Sequence, residues 1–352
     1  MNPSPPAASA ITVVGDGLAG TVLALSLAAR GAAVQLIGAE LQTATSLSYG
    51  ALPRGGPSWA WRRLERSHGS LGWHPSGLVF HDGRPGLPNR LAALTQRLPL
   101  PLARVDAPTW SANRAQALAA AGVRCLQRRV TELKPRPAGG WRLDLAPQAG
   151  QPDPAAQAEQ GLDAGTLVLA AGAGCRDLWP ALPSRLRHSW AGVLLIGAEA
   201  PTNPWLQQTR QGRIVQPRYW QRPALEAAAE TAEHPRWLVD AGMAPWGDGV
   251  VLGQISWIPA AGVASQAASA IVPPDPIWME EQLRAGLGLL DPALAEIPGT
   301  YRQAPVSFCS DGAPLVGPVA GAPGLWVFAG FSAAFSRVPT EAEALASLLM
   351  VR

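Results

Sequence analysis

Hydrophobic positions fall into two textures along the chain. In the first half, short unbroken aliphatic runs alternate with Ala/Leu-rich stretches of helical length. Residues 11–14 are such a run, followed by Gly15 to Gly20 and an Ala/Leu-rich segment over 21–30. Gly31 closes that segment, as glycine commonly closes a helix, and residues 34–37 are a second aliphatic run. Strand, turn, helix, turn and strand within about 30 residues open a doubly wound sheet. Residues 91–98 and 113–121 predict helices, and 123–126, 130–133 and 141–145 predict a small meander. Residues 166–171 predict a further buried strand. Residues 42–90, heavy in Gly, Pro, Ser and Trp, predict irregular structure, and 146–165 a Pro/Gln/Ala-rich surface loop. From Arg187 the pattern changes. Strand-length runs at 191–196, 213–215, 237–241 and 250–258 are separated by turns, which predicts a more antiparallel segment. Residues 276–290 predict a helix capped by Asp275, and 326–329 a last buried strand. Residues 339–350 predict a terminal helix with Pro339 at its start and Glu341 and Glu343 in its first turn.

Composition makes this a folded chain with a real core. Of 352 residues, 47% are hydrophobic and 15% charged, outside the low-hydrophobicity, high-charge regime of disorder. The length is a prior for about two domains, and residues 1–7 predict a disordered tail. The net charge is +3, and the scattered arginines form no run interleaved with aromatics, which argues against nucleic acid as a partner. No apolar run reaches ~18 residues, so no membrane span is predicted. The Pro/Ser/Ala-rich start lacks the regions of a signal peptide, and a cytoplasmic location is expected. Cys125, Cys175 and Cys309 match neither CxxC nor a metal spacing, and read as reduced thiols. The histidines form no HxH or HExxH, which gives a metal no support. No GxSxG or P-loop appears, so hydrolase and kinase readings have no residues behind them.

The chemistry-bearing signal is Gly15-Asp16-Gly17-Leu18-Ala19-Gly20, a GxGxxG between a strand and a helix. Gly15 permits the tight turn, Gly17 lets backbone approach a pyrophosphate, and Gly20 lets helix and strand pack closely. Leu18 and Ala19 begin the helix whose N-terminus faces the anion. An acidic residue ending the second strand would hold ribose hydroxyls. That slot is Gly38, and the nearest acid beyond it is Glu40, which is the expected substitute.

Four segments together resemble the FAD-dependent oxidoreductases of the D-amino-acid oxidase, glycine oxidase and sarcosine oxidase superfamily. They are residues 11–20 with the following helix and strand; Ala44-Thr45-Ser46-Leu47-Ser48-Tyr49-Gly50; Leu167-Val168-Leu169-Ala170-Ala171-Gly172-Ala173-Gly174; and Asp311-Gly312-Ala313-Pro314-Leu315-Val316-Gly317-Pro318 with 324–330. They span the whole chain. The resemblance implies an α/β fold: a Rossmann-like FAD-binding domain built discontinuously from 8–60, 105–185 and 305–352, and a mostly antiparallel substrate domain from 61–104 and 186–304. It implies FAD as cofactor, contacted by Ser46, Ser48 and Gly50, by Val130 through its backbone, by Ala171 and Gly172, and by Gly317, Gly330, Phe331 and Ser332. No second GxGxxG follows, which points to reoxidation by oxygen or another acceptor rather than reduction by a nicotinamide.

The implied activity is oxidation of a small amine or amino acid, by hydride transfer from the α-carbon to flavin N5 followed by imine hydrolysis. The chain departs from the family in two places. The arginine that clamps a substrate carboxylate falls at Val306, with Arg302 four residues earlier, and the segment after Gly330 carries Phe335 where glycine is usual. Two alternatives follow: a dehydrogenase for a bulkier substrate without a carboxylate, and a flavin-binding protein without turnover. Tyr219, Arg302 and Arg337 are the candidates for orienting a substrate. The single lysine, Lys134, is badly placed to assist oxygen. Fourteen tryptophans, ten of them in the flavin-proximal and substrate segments, predict a wide apolar pocket.

Overall fold

The computed structural model describes residues 10–39, 43–81, 90–146, 161–201, 203–218 and 221–351. A six-stranded sheet runs in the order Leu315–Pro318, Leu325–Ala329, Thr166–Leu169, Ile11–Val14, Val34–Gly38, Arg124–Gln127. All its pairings are parallel except that between Leu315–Pro318 and Leu325–Ala329. Strand order reverses at Ile11–Val14, which has Val34–Gly38 on one side and Thr166–Leu169 on the other. The crevice at the carboxyl ends of such strands is where a doubly wound sheet binds ligands. Helix Leu18–Ala28 has no polar stripe and is buried on nearly every side, as an all-apolar helix must be. It packs between the sheet and helices Ala107–Ala120 and Ala334–Met350.

An eight-stranded sheet has the order Thr300–Cys309, Leu186–Ile196, Gly249–Ile258, Arg236–Trp246, Ile214–Pro217, Trp73–His81, Leu100–Val105, Ala51–Pro53. It is antiparallel apart from the pairing of Ile214–Pro217 with Trp73–His81. Helix Pro276–Gly288 covers one face, setting Met279, Leu283 and Leu287 on Leu194, Met243, Leu252 and Ile255. On the other face, Val193, Ala244, Val251 and Ala304 pack with Leu47 and Tyr49 from the loop that follows the second strand. Val130–Pro135, Trp141–Leu145 and Gly161–Ala164 form a three-stranded meander; its expected first strand, 123–126, is instead the parallel edge strand Arg124–Gln127 of the six-stranded sheet, and its third lies in the segment 146–165 expected to be a loop.

Other expectations need correction too. The irregular reading of 42–90 misses strand Ala51–Pro53, helix Gly56–His68 and strand Trp73–His81. The helix starts after Gly55 at φ 104°, with Pro in its first turn, and its buried Ala60, Trp61 and Leu64 were masked by the Gly/Pro-rich surroundings. The helix expected at 113–121 begins at Ala107, because the Asp106 carboxylate caps the Thr109 N–H at 3.1 Å. The terminal helix begins at Ala334 and carries Pro339 in its interior, so Glu341 and Glu343 lie beyond its first turn. The apolar tryptophan pocket also fails. Trp190, Trp205, Trp257 and Trp278 pack on the core under helix Pro276–Gly288, Trp61 is fully buried in the core of the other sheet, and Trp59 and Trp237 are exposed. Trp246 alone of the ten, among the described residues, bonds to the 44–50 loop, donating to the Ser46 carbonyl at 3.0 Å; Trp220 lies outside the described residues.

Candidate active site

The glycine loop divides its work by where a side chain would go. A Cβ on Gly20 would lie 1.7 Å from the Gly15 carbonyl oxygen, and one on Gly15, at φ 114°, would lie 2.4 Å from that of Ala170. These two glycines close helix onto strand and strand onto strand. A Cβ on Gly17, the residue capping helix Leu18–Ala28, would meet nothing nearer than 4.0 Å. The same holds for Gly172, at φ 56°, and Gly317, at φ 137°. Three glycines therefore border open space instead of packing contacts, and Gly17 does so at a helix N-terminus suited to a phosphate anion. These residues fit a dinucleotide cofactor.

Asp16 adds a feature the motif does not predict. Its carboxyl carbon lies 2.1 Å from where a Cβ on Gly38 would sit. Its Oδ2 is buried, has no hydrogen-bond partner, and stands 3.5 Å from the Arg114 Nη2. Arg114 also donates to the Asp16 backbone carbonyl. Thr21 Oγ1 donates to the same carbonyl at 3.0 Å.

The second set of loops meets the eight-stranded sheet. Ser46 Oγ donates to the Thr43 carbonyl at 2.7 Å and Ser48 Oγ accepts from the Gly50 N–H at 3.2 Å. Gly50, at φ 62°, packs so tightly that a Cβ would reach 1.8 Å from the Val105 oxygen. Gly330 lies on Cys309 and Leu186. Phe331 sits edge-on to Phe328 at 4.7 Å. Ser332 Oγ donates to Glu226 Oε2 at 2.7 Å, and Glu226 Oε1 accepts from Arg222 Nε at 2.8 Å. Glu226 belongs to helix Arg222–Ala228 and is buried, so that helix is tied to the loop after strand Leu325–Ala329 by a charge-assisted bond. Ala333, at φ 54°, is the one non-glycine residue with positive φ among those described. It starts the terminal helix, and two residues later Phe335 is buried against Trp61. The Phe335 ring is thus core, not an obstacle on the flavin side.

Sequence reading missed an acid and a phenol within electrostatic reach of each other. Tyr49 is half-buried, and its hydroxyl is buried and has no partner. A Cβ on Gly242 would come within 3.0 Å of that hydroxyl, so strand Arg236–Trp246 makes room for the ring with a glycine. Burial first, then the charge of Asp240, push the Tyr49 hydroxyl well above its ordinary pKa. Asp240, on the same strand, has its carboxyl pushed up to about 6 by burial, against the opposing charge of Arg222. The signal available in the sequence was an isolated acid in a strand otherwise apolar on both sides.

The remaining candidates are dispersed. Arg302 is exposed and pairs opposite Val193; Val306, in the expected clamp position, pairs opposite Ser189. Arg337 donates to the Gly312 carbonyl at 2.5 Å, fastening the terminal helix to a neighbouring loop. The Val130 side chain is buried beside the meander core. Ala171 precedes the open Gly172 turn. Glu40 and Tyr219 lie outside the described residues. Lys134 pairs with Glu132 and Asp144 on the exposed meander. No group of His, Cys, Asp and Glu among the described residues could hold a metal, and none of the helices searched is long and apolar enough to cross a membrane.

A doubly wound parallel sheet with an open glycine loop, set beside a mostly antiparallel sheet, is the architecture of a two-sheet dinucleotide-binding protein. Residues 103–348 match the family described as DAO: FAD dependent oxidoreductase, and the chain belongs to that family. Solved structures share the fold along nearly the whole chain. Glycine oxidase from Geobacillus kaustophilus superposes with a TM-score of 0.67 at 16% identity, covering 98% of this chain and 95% of that one. L-amino acid deaminase from Proteus vulgaris gives 0.64 at 14% identity, covering 100% and 96%. Iminodiacetate oxidase from Chelativorans sp. BNC1 gives 0.61 at 17% identity, covering 97% and 95%. Comparison with curated protein sequences returns no match. The chain is an enzyme of the FAD-dependent oxidoreductase type, and its family implies a flavin cofactor.

Proposed function

We propose that the protein oxidises a small amine or amino acid with FAD, and that it recognises the substrate through its nitrogen. The observation that carries this reading is Asp240: a carboxyl whose pKa is pushed to about 6, whose charge acts on the buried, unpartnered hydroxyl of Tyr49, the residue after Ser48. Asp240 is the acceptor available to an amine N–H, and its raised pKa makes it a better proton acceptor near neutrality than an ordinary carboxylate. Tyr49 remains a neutral phenol and offers an O–H donor. Bound FAD supplies the hydride acceptor at N5 and passes the electrons to oxygen or another acceptor. The chain's task is then to hold the α-carbon at that acceptor and keep the nitrogen unprotonated. FAD is proposed to lie along Gly15 to Gly20, Ser46, Ser48, Gly50, Val130, Ala171, Gly172, Gly317 and Gly330 to Ser332. The division into FAD-binding and substrate domains at the boundaries given above is part of the same proposal.

Val306 and the exposure of Arg302 favour a second reading, a dehydrogenase for a bulkier amine without a carboxylate. The burial of Phe335 in the core weighs against a protein without turnover, which the missing glycines after Gly330 still favour. Anaerobic bleaching of the flavin by a panel of amines and amino acids tests the proposal. Bleaching by glycine, sarcosine or D-amino acids supports the first reading, and bleaching by larger amines alone supports the second. Intact photoreduction with no bleaching by any amine would overturn both.

A further inference from the structure

The adenosine end of the nucleotide site lacks the acid that its fold uses. In a Rossmann unit the second strand ends in Asp or Glu, which accepts from the ribose hydroxyls. Here that strand ends in Gly38. The space is not empty: Asp16 Cγ would lie 2.1 Å, Asp16 Cβ 2.4 Å and Asp16 Oδ2 2.4 Å from a Cβ on residue 38. The carboxyl group that the strand does not carry is delivered to the same place from the glycine loop. The two positions are therefore complementary, since an acid at 16 requires a glycine at 38.

We propose that Asp16 is the ribose-binding carboxylate of this protein, taking the role expected of a strand-end acid. This rests on the reading of the site as an FAD site. Three further observations support it. Asp16 Oδ2 is buried and has no hydrogen-bond partner within the chain, so an acceptor is left for a ligand hydroxyl. An acid this close to a pyrophosphate loop needs a counter-charge, and Arg114 supplies one from helix Ala107–Ala120 at 3.5 Å. That ion pair is too long to be a hydrogen bond, so it balances the charge without consuming the acceptor. Finally, Arg114 also donates to the backbone carbonyl of Asp16, which fixes the turn from which the side chain projects.

The test is FAD binding to flavin-stripped protein, followed by calorimetry or fluorescence quenching. Asp16→Asn is expected to weaken FAD binding about tenfold or more, with thermal unfolding of the apoprotein little changed. Replacing FAD by its 2′-deoxyadenosine analogue is expected to weaken binding to the unaltered protein by a similar factor, and to weaken D16N no further. Glu40→Gln is expected to bind FAD normally. Gly38→Glu alone should lose binding or stability through the clash with Asp16, and Asp16→Gly combined with Gly38→Glu should regain it. Normal FAD binding by D16N, loss of binding in E40Q instead, or equal affinity of the unaltered protein for FAD and the deoxy analogue would each overturn the proposal while leaving the flavin reading standing. Should D16N fail to fold, the deoxy analogue on the unaltered protein decides alone. Failure of the unaltered protein to bind FAD would overturn the underlying reading and this proposal together.

Discussion

Trp61 donates its indole N–H to the backbone carbonyl of Phe335 at 2.6 Å, and the two rings stack at 5.8 Å. The reason lies four residues further on. In an α-helix the carbonyl of residue 335 accepts from the N–H of residue 339, but residue 339 is proline, inside the terminal helix, and has no N–H. Trp61, from helix Gly56–His68, supplies the missing donor to a carbonyl that is buried with its residue. Trp61→Phe should therefore cost about 1–3 kcal/mol, the penalty of a buried group left unpaired, in urea unfolding. In a Pro339→Ala background the helix provides its own donor, and the same change should cost distinctly less. Equal costs in both backgrounds would show that Trp61 acts through ring packing alone.

The glycines of the nucleotide loop separate folding from binding. Gly17→Ala places its methyl in open space, at a backbone φ of −69° that alanine accepts. Its unfolding free energy should stay within about 0.5 kcal/mol of the parent, while FAD affinity falls at least tenfold. Gly20→Ala would press its methyl to 1.7 Å from the Gly15 oxygen. It should lose about 3 kcal/mol or more in stability, seen as a lowered melting temperature before any flavin is added. Stable, flavin-binding G20A would refute the packing role.

What was legible in the sequence was what is local. The strand–glycine loop–helix unit, the small-residue loop at 44–50 and the ending at 311–330 each declare themselves within a few residues, whereas the place of Arg124–Gln127 in the six-stranded sheet does not. Two kinds of information were not local. The terminal helix was read as starting at Pro339 because proline suits a first turn; only the indole of Trp61, 274 residues away, makes an interior proline tolerable. Tyr49 and Asp240 lie on segments far apart in sequence, and their electrostatic coupling depends on how the 44–50 loop packs against strand Arg236–Trp246 at Gly242. Asp16 is the intermediate case. A charged residue inside a glycine turn and a glycine at the next strand end were both in view, but their complementarity is visible only once the two backbones are side by side.

Thiol chemistry reports on the same neighbourhood. Cys175 and Cys309 are buried, and burial pushes their thiols up to about 12 and about 11. At pH 8 their thiolate fractions are below ~1 in 1,000. Cys125 is exposed, its thiol raised by partial burial and then by Asp16, with Arg114 opposing. Native protein should thus react with one equivalent of a disulfide reagent, and unfolded protein with three. Asp16→Asn should speed the Cys125 reaction and Arg114→Gln should slow it, since each removes one of the two opposing charges. Fast labelling of a second native thiol would contradict the burial of the other two.

Asp240 ties stability and turnover to the same proton. Its folded pKa, about 6, lies above the ordinary value of 3.8, so the folded state binds the proton more tightly than the unfolded chain. Between about pH 4 and pH 6 stability falls as pH rises, and above pH 6 the full penalty of the buried charge is present. Asp240→Asn should therefore be more stable than the parent by about 1–3 kcal/mol at pH 7, with the difference shrinking towards pH 4. For turnover the direction reverses. The ionised carboxylate is the form that accepts from an amine, so kcat/KM should rise through about pH 6 in the parent and lose that limb in D240N, with KM for the amine raised about tenfold or more. Tyr49→Phe provides the control. Its hydroxyl has no protein partner, so removing it should leave stability unchanged or slightly improved while raising KM. A D240N enzyme that gains stability yet keeps both its KM and its acid limb would make Asp240 a buried structural charge and remove it from substrate recognition.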